Sequence, residues 1–194
     1  MATTQPAYPV QFEVDYPGEV DRLPNAFRII WAIPIVIVVI VGFYGAGFVV
    51  FGPLLMILFR RKYPRWWFDW NLERMRFGAR VASYLLLVAQ RYPATDDAQA
   101  VHLDIPYPDA ERALNRWLPL VKWLLAIPHY IALIVLWIAL IITAVIAWVY
   151  VIVNGRVPRW YFDFAVGVLR WGNRVMAYAG LLATDRYPPF RLAA

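Results

Sequence analysis

Side chains able to catalyse a reaction or hold a metal ion are scarce in this sequence. There is no cysteine, which excludes thiolate metal sites, cysteine nucleophiles and disulfides. His102 and His129 are the only histidines, too few for a metal site, which usually needs three or four convergent ligands. Ser83 is the only serine, and a serine nucleophile needs a neighbouring base. No glycine-rich phosphate loop follows a strand. We therefore expect no enzymatic activity, no metal and no cofactor.

Arginines at helical spacing are the most informative polar feature. Arg76 and Arg80 recur as Arg170 and Arg174 on the polar face of amphipathic helical segments. One hypothesis is that they bind an anionic ligand or a lipid phosphate, because a guanidinium matches phosphate geometry. The favoured interpretation is structural, with the arginines forming ion pairs or extending to the headgroups and so fixing the helix position. The candidate ion-pair partners are Asp69, Glu73 and Asp163.

An internal repeat organises the chain. Residues 32–34 (AIP) recur as 126–128, and residues 63–70 (YPRWWFDW) recur at the same offset as 157–164 (VPRWYFDF). After a one-residue shift, the RYP motif that ends at Pro93 recurs and ends at Pro188. Ordered matches at one offset indicate a duplicated unit. We therefore divide the chain into a first half (residues 1–93), a polar linker (94–99) and a second half (100–194).

Each half is predicted to begin with a short β-strand. Apolar residues alternate with polar ones over residues 10–16 and again over residues 101–105. A period of two is typical of a strand with one buried face. In the second half a short amphipathic lead-in, from Asp109 to Lys122, separates the strand from the apolar run that follows.

A long apolar run comes next in each half, over Ile29–Phe59 and about Trp123–Val153. Both exceed the roughly 20 residues that cross the hydrocarbon core of a bilayer. The second carries no charge and is predicted to form one membrane helix. The first is predicted to bend, and its small residues favour close helix packing over a transport hinge. The interrupting residues are Gly42, Gly45, Gly47, Gly52 and Pro53.

Basic and aromatic residues cluster where each apolar run ends. Trp and Tyr beside Arg and Lys are typical of the membrane–water interface, and the cationic excess predicts that both turns face the cytoplasm. An aromatic belt is favoured over a protein-docking surface, although Trp and Arg also dominate binding hot spots. The predicted interfacial anchors are Arg60, Arg61, Lys62, Arg65, Trp66, Trp67, Arg156, Arg159, Trp160 and Tyr161.

An amphipathic helix with arginines on its polar face follows each turn. If both turns are cytoplasmic, this helix also crosses, giving four crossings. Alternatively it lies in the interface plane, which leaves two. We favour the first arrangement. The predicted fold class is an all-α integral membrane protein of two tandem repeats, each a long transmembrane helix plus an amphipathic helix. Four helices are then related by a pseudo-twofold axis, and the short extramembrane strands are able to pair.

The composition agrees with a membrane protein. The chain is 62% hydrophobic and 16% charged, whereas about a quarter of the residues of a soluble domain are charged. A chain of 194 residues cannot bury so much apolar surface in one core. The net charge is +6, and basic residues beside apolar runs favour anionic lipid headgroups over nucleic acid as partner. The N-terminus lacks the basic and apolar regions of a cleavable signal peptide.

The motifs of residues 157–190 carry a family resemblance. They are VPR at 157–159, FDF at 162–164, VGVLRW at 166–171 and DRYPPF at 185–190. With these motifs, and over nearly its whole length, the chain resembles a bacterial membrane family catalogued as domain of unknown function 4389. The first half departs from the pattern, with NLERM at 71–75 and no Asp before Arg91. The resemblance implies a multi-pass protein of the bacterial inner or plasma membrane, and it carries no activity.

The sequence therefore favours a non-enzymatic membrane protein that acts by contact, as an accessory or scaffold subunit of a larger bacterial membrane assembly. Two alternatives are open. One is a small homo-oligomeric transporter or channel for an anion or solute, and the other is a protein that binds anionic lipid. The expected partners are membrane lipids and either another membrane protein or a second copy of the chain.

Overall fold

A pair of short strands joins the beginnings of the two halves. The computed structural model describes residues 8–44 and 50–193, without the side chains of residues 41–44. Strands β1 (Gln11–Val14) and β2 (Val101–Asp104) pair antiparallel, with Phe12 opposite Leu103. Phe12 and Leu103 are buried whereas Gln11 and Asp104 are exposed, because successive side chains in a strand point to opposite faces. Both predicted strands form, and they pair.

The first apolar run forms two helices. After the short helix α1 (Arg22–Ala26) come α2 (Arg28–Tyr44) and α3 (Phe51–Arg60). Of the predicted interruptions, Gly42 lies within α2 and Gly45 and Gly47 lie outside the described residues. Gly52 and Pro53 occupy the first turn of α3, where a proline breaks no helical hydrogen bond.

The amphipathic helix of the first half is α4 (Arg65–Leu85). It buries Phe68, Leu72, Met75 and Ala79, which lie three and four residues apart and so share one face. The tight turn between α3 and α4 begins at Arg61, whose φ of 49° is left-handed.

The second apolar run forms one continuous helix. The lead-in before it consists of turns, a 3₁₀ turn at Leu118–Leu120 and the short helix α5 (Lys122–Leu125). Helix α6 (Ile127–Asn154) then runs for 28 residues. It ends at Gly155, which adopts a φ of 67° and donates its N–H to the Val151 carbonyl oxygen, a common left-handed helix ending.

Helix α6 buries only a narrow stripe. Leu133, Leu140 and Ala147 are buried and lie seven residues apart, as in a coiled-coil seam. The surface between them is apolar and open: Ile134 and Ile138 are 60% and 56% exposed. Among the described helices, α6 is the one long and apolar enough to cross a membrane, whereas the apolar parts of α2 and α3 are shorter.

The last helix, α7 (Arg159–Val175), continues into a π-helical turn at Met176–Gly180. It packs antiparallel along α6, since it follows after a short loop and its Trp171 contacts His129 near the start of α6. Strand β1 lies against α7 and β2 against α4. The main core is therefore formed where the strand pair, α4, α6 and α7 meet.

Candidate functional site

Two of the predicted arginines bind the strand pair from different helices. Arg76 Nε on α4 donates to the Leu103 carbonyl oxygen (2.9 Å), and Arg170 Nε on α7 donates to that of Phe12 (2.9 Å). Phe12 and Leu103 face each other in the sheet. Each half therefore supplies a strand carbonyl to the arginine of the other half.

The remaining donors of these two arginines have different partners. Arg76 forms ion pairs with Glu73 (2.6 Å) and with Asp104 (2.8 Å). Arg170 Nη1 instead donates to the carbonyl oxygen of Leu192 (3.0 Å). The remaining guanidinium donors thus bind carboxylates in the first half and a backbone carbonyl in the second.

Arg80 and Arg174 hold extended segments against the helices. Arg80 Nη1 donates to the Ala94 carbonyl oxygen (2.5 Å), at the start of the linker. Arg174 Nη1 donates to the Ala193 carbonyl oxygen (2.9 Å), and its side chain is buried. All four arginines of the predicted stripe therefore donate to backbone segments that pack over α4 and α7.

The predicted carboxylate partners separate into different surroundings. Glu73 pairs with Arg76, as described above. Asp69 lies 3.6 Å from Arg65, with both side chains more than half exposed. Asp163 is exposed on α7. Of the three, Glu73 is the one whose ion pair with an arginine of the stripe is observed.

The predicted interfacial anchors are mostly exposed. Trp66 is 68% exposed and Trp160 is 54% exposed. Tyr161 differs, because it is buried and its hydroxyl donates to the Leu86 carbonyl oxygen (2.7 Å). Trp67 is half-buried, and the exposed basic anchors are Arg60, Arg61, Lys62, Arg65, Arg156 and Arg159.

Tyrosines from opposite halves lock the two basic turns. The Tyr16 hydroxyl donates to the Val157 carbonyl oxygen (2.5 Å), and the Tyr107 hydroxyl donates to that of Tyr63. The guanidinium carbon of Arg159 lies 3.7 Å from the centre of the Tyr16 ring, within the range of a cation–π contact. Each turn is therefore fixed by the chain segment that follows the strand of the other half.

Two buried cations at aligned positions were missed by the sequence analysis. Arg28 opens α2, Lys122 opens α5, and both are buried. Lys122 Nζ pairs with Asp185 (2.8 Å) and donates to the Thr184 carbonyl oxygen (2.7 Å). Burial lowers the pKa of Lys122, and the contact with Asp185 opposes that shift.

Arg28 has neutral acceptors instead. Its Nη1 donates to the carbonyl oxygens of Tyr84 (2.6 Å) and Ala89 (3.0 Å), and its Nη2 donates to Gln90 Oε1 (2.6 Å). Gln90 aligns with Asp185 in the repeat. The sequence contained this signal, since the repeat offset aligns Arg28 with Lys122 and the first half has no Asp before Arg91.

Arg28 lies at the floor of an open cleft of about 1140 Å³. The segment around α1, the loop after α4 and the turn after α6 form its walls. Arg22, Arg91 and Arg156 line the cleft with exposed side chains. The cleft is suited to a polar, anionic group, because its buried floor carries a cation without a carboxylate partner among the described residues.

The histidines are accounted for by packing and surface contacts. His129 is buried, accepts a hydrogen bond at Nδ1 from Trp171 Nε1 (3.0 Å) and stacks on the Phe190 ring. His102 Nε2 lies 3.2 Å from the Asp15 carboxylate. Within the described part of the chain, no group of three or more His, Cys, Asp or Glu residues is placed to hold a metal ion.

The fold and these contacts define a mostly helical protein with one described helix that could span a membrane by length and composition. The model of the family described as "Domain of unknown function (DUF4389)" matches residues 117–191, which confirms the family resemblance for α5 to α7 and the segment after them. The chain matches no curated protein and no solved structure.

Proposed function

We propose that this chain is an integral protein of a bacterial cell membrane that catalyses no reaction and acts by contact, as an accessory or scaffold subunit of a membrane assembly. The observation that carries the membrane location is the open apolar surface of α6. Only 17% of its most apolar window is buried, whereas the core helix of a soluble protein is mostly buried.

The exposed apolar surface of α6 would be energetically costly in water. No charged residue lies between Trp123 and Val153, and the side chains on the outer surface of α6 are more than half exposed at Ile131, Ile142 and Val145. Leaving such side chains in water costs about 1 to 2 kcal/mol each. Summed along the helix, this rivals the roughly 5 to 15 kcal/mol of net stability of a domain. Lipid removes that cost.

We further propose that the two halves are one duplicated unit related by a pseudo-twofold axis. Contacts at aligned positions support this arrangement: Arg76 and Arg170 each bind the strand of the other half, and Tyr16 and Tyr107 each bind the turn of the other half. The amphipathic helix of each half packs against the strand of the other half, and the proposed duplication explains why these contacts are reciprocal.

We also propose a multi-pass, four-helix arrangement, and the packing of the helices supports it. Helix α7 lies along α6, and α2 lies along α4 through Ala32, Ile35 and Val81. Arginines on α4 and α7 would be costly in lipid. Here the guanidiniums of Arg76 and Arg170 bind strand carbonyls, which offsets part of that cost.

The exposed tryptophans support action by contact. Trp66, Trp70 and Trp160 are 68%, 49% and 54% exposed and lie next to the basic turns. Large aromatic side chains with neighbouring arginines are the residues that dominate protein–protein hot spots. Anion passage along the arginine stripe is less favoured, since its guanidiniums already donate to backbone carbonyls and carboxylates.

Membrane insertion is tested by cysteine labelling, because the chain has no native cysteine. The full chain is reconstituted in nanodiscs as Ile138→Cys or as Gln11→Cys, and a water-soluble maleimide is added. We expect Gln11→Cys to react and Ile138→Cys to react only after denaturation. Equal labelling of the two variants in nanodiscs contradicts the membrane location.

The accessory role is tested by purification from the native membrane. We expect a protein partner at constant stoichiometry, with its recovery reduced by Trp66→Ala and Trp160→Ala. Trp123→Ala serves as the control, since Trp123 is 59% exposed but belongs to α5 and to neither basic turn. A chain that is purified alone, with and without these substitutions, rules out the proposed role.

A further inference from the structure

Two of the buried cations, Arg28 and Lys122, occupy aligned positions but differ in charge balance. Lys122 is neutralised within the chain, because Asp185 lies 2.8 Å from its ammonium nitrogen. Arg28 forms no ion pair among the described residues, and its acceptors are two backbone carbonyls and the amide oxygen of Gln90. A carboxylate is therefore present in the second half and absent at the equivalent place in the first.

A buried guanidinium without a countercharge is an unfavourable arrangement. Arginine stays protonated in proteins, so Arg28 cannot lose its charge on burial. Its Nε has no hydrogen-bond partner, and the Tyr84 ring, 4.5 Å from the guanidinium carbon, offsets only part of the desolvation. An anion from outside the chain would neutralise Arg28 as Asp185 neutralises Lys122.

The cleft above Arg28 has the charge distribution of an anion site. Arg28 is 3% exposed and lies at the floor, with Arg22 and Arg156 exposed at the rim. Two of the three carboxylates of the cleft, those of Glu19 and Asp21, also lie at the exposed rim, where water screens them. Positive charge is thus least screened at the buried floor.

Two other charged groups of the cleft already have partners. Arg91 pairs with Asp97 (2.5 Å), and Asp15 lies 3.2 Å from His102. Neither Asp97 nor His102 lines the cleft. The carboxylate of Asp15 is therefore directed to the strand pair, and it leaves Arg28 without a charged partner.

An apolar pocket of about 510 Å³ adjoins the polar cleft. The two cavities share Pro24 and Tyr84. The pocket is otherwise lined by Leu23, Phe27, Ile30, Trp31 and Tyr92. A polar, cationic cleft beside an apolar pocket matches a molecule with an anionic head and a hydrocarbon tail.

We propose that this cleft binds a phosphate-type anion, with Arg28 as its buried countercharge and Arg22 and Arg156 as rim contacts. The phosphate comes either from a lipid headgroup or from a soluble phosphate compound. The anion site is independent of the accessory role, whereas a lipid as its source rests on the proposed membrane location.

The test compares the full chain with variants in a neutral detergent, using inorganic phosphate as one probe and phosphatidylglycerol as the other. The readouts are the ligand-induced rise in the thermal midpoint and the lipid retained in native mass spectrometry. Gln90→Glu places a carboxylate where the second half has Asp185, and leaves Arg28 in place to hold the loop. We expect it to weaken binding by at least about tenfold, because a charge-assisted contact of about 1.5 kcal/mol is lost to the ligand.

Two further variants separate this site from general attraction to basic residues. Arg156→Gln removes a rim charge, and we expect binding to fall by roughly threefold, as for an exposed ionic contact. Arg112→Gln is the matched control, since Arg112 is an exposed arginine that does not line the cleft and is not a predicted interfacial anchor. It should bind like the unmodified chain.

The outcomes are distinct. A response to phosphatidylglycerol alone assigns a lipid headgroup, and a response to inorganic phosphate alone assigns a soluble anion; a response to both supports the site as a general phosphate site. The proposal is overturned if neither probe stabilises the unmodified chain, or if Gln90→Glu binds as tightly as that chain does. Cysteine labelling in nanodiscs tests the membrane location separately, so the two proposals fail independently.

Discussion

The buried cations Arg28 and Lys122 hold equivalent loops in the two halves, but with different acceptors. In each, a buried cation at the start of an apolar segment binds the loop that follows an amphipathic helix. Lys122 does so with an internal carboxylate, Asp185, whereas Arg28 relies on neutral oxygens and lies beneath an open cleft. Aligned cations thus bind a carboxylate in the second half and neutral oxygens in the first, and the first is where we propose that an anion binds.

The charge balance is reversed at the strand pair. There the first half is internally compensated, because Arg76 pairs with Glu73 and Asp104. Its counterpart Arg170 binds the carbonyl oxygens of Phe12 and Leu192. Substitutions beside the two buried cations and at the strand pair therefore measure how much carboxylates and neutral acceptors each contribute to stability.

The largest effect is expected at the ion pair between Lys122 and Asp185. Asp185→Asn leaves the Lys122 ammonium, whose side chain is 1% exposed, without a countercharge. Breaking a buried pair in this way costs about 3 kcal/mol, so the thermal midpoint in detergent should fall clearly. The matched control is Asp163→Asn, an exposed position on α7. A change at Asp185 as small as that at Asp163 would show that the pair contributes little.

The next effect is expected at the strand pair. Arg170→Gln removes bonds from a charged donor to two carbonyl oxygens and should lower the free energy of unfolding by about 2 kcal/mol. Arg76→Gln should cost about 1 kcal/mol, because that side chain is 31% exposed and its ion pairs are screened. Unfolding at low and high salt distinguishes them. The Arg76 effect should shrink in salt and the Arg170 effect should not.

A substitution beside Arg28, the buried cation without a carboxylate partner among the described residues, should stabilise the protein. Without ligand, Gln90→Glu supplies Arg28 with a carboxylate and should raise the free energy of unfolding by about 1 kcal/mol. The gain of a charge-assisted bond outweighs the loss of the amide donor to Leu87. Denaturation in phosphate-free buffer checks this. A lower midpoint would mean that the first half is already balanced by its neutral acceptors.

The smallest effect is expected at the exposed turn. Asp69→Asn removes an ion pair with Arg65 whose two side chains are 54% and 70% exposed. Such pairs contribute less than about 0.5 kcal/mol, so the midpoint should stay within error. A clear destabilisation would indicate that the turn is held by its charges rather than by the tyrosine contacts with the other half.

Some features of this fold were predictable because they depend on local periodicity. Alternation over residues 10–16 and 101–105 is sufficient to predict β1 and β2, and an apolar run without charge is sufficient to predict α6. The backbone acceptors of the arginines were not predictable. Arg170 binds Phe12 and Leu192, residues remote in sequence, and a backbone carbonyl acceptor leaves no mark in the sequence because every residue has one.

The sequence by itself determined the hydrophobic balance, the short strands, the apolar helix and the aligned motifs, since each is a matter of composition or spacing. Only the tertiary structure decided that each half donates its strand and its tyrosine to the other, and that Arg28 lies buried at the floor of a cleft. The physical reason is that burial and charge compensation arise between segments distant in the chain, and the same side chain is balanced or unbalanced according to what folds against it.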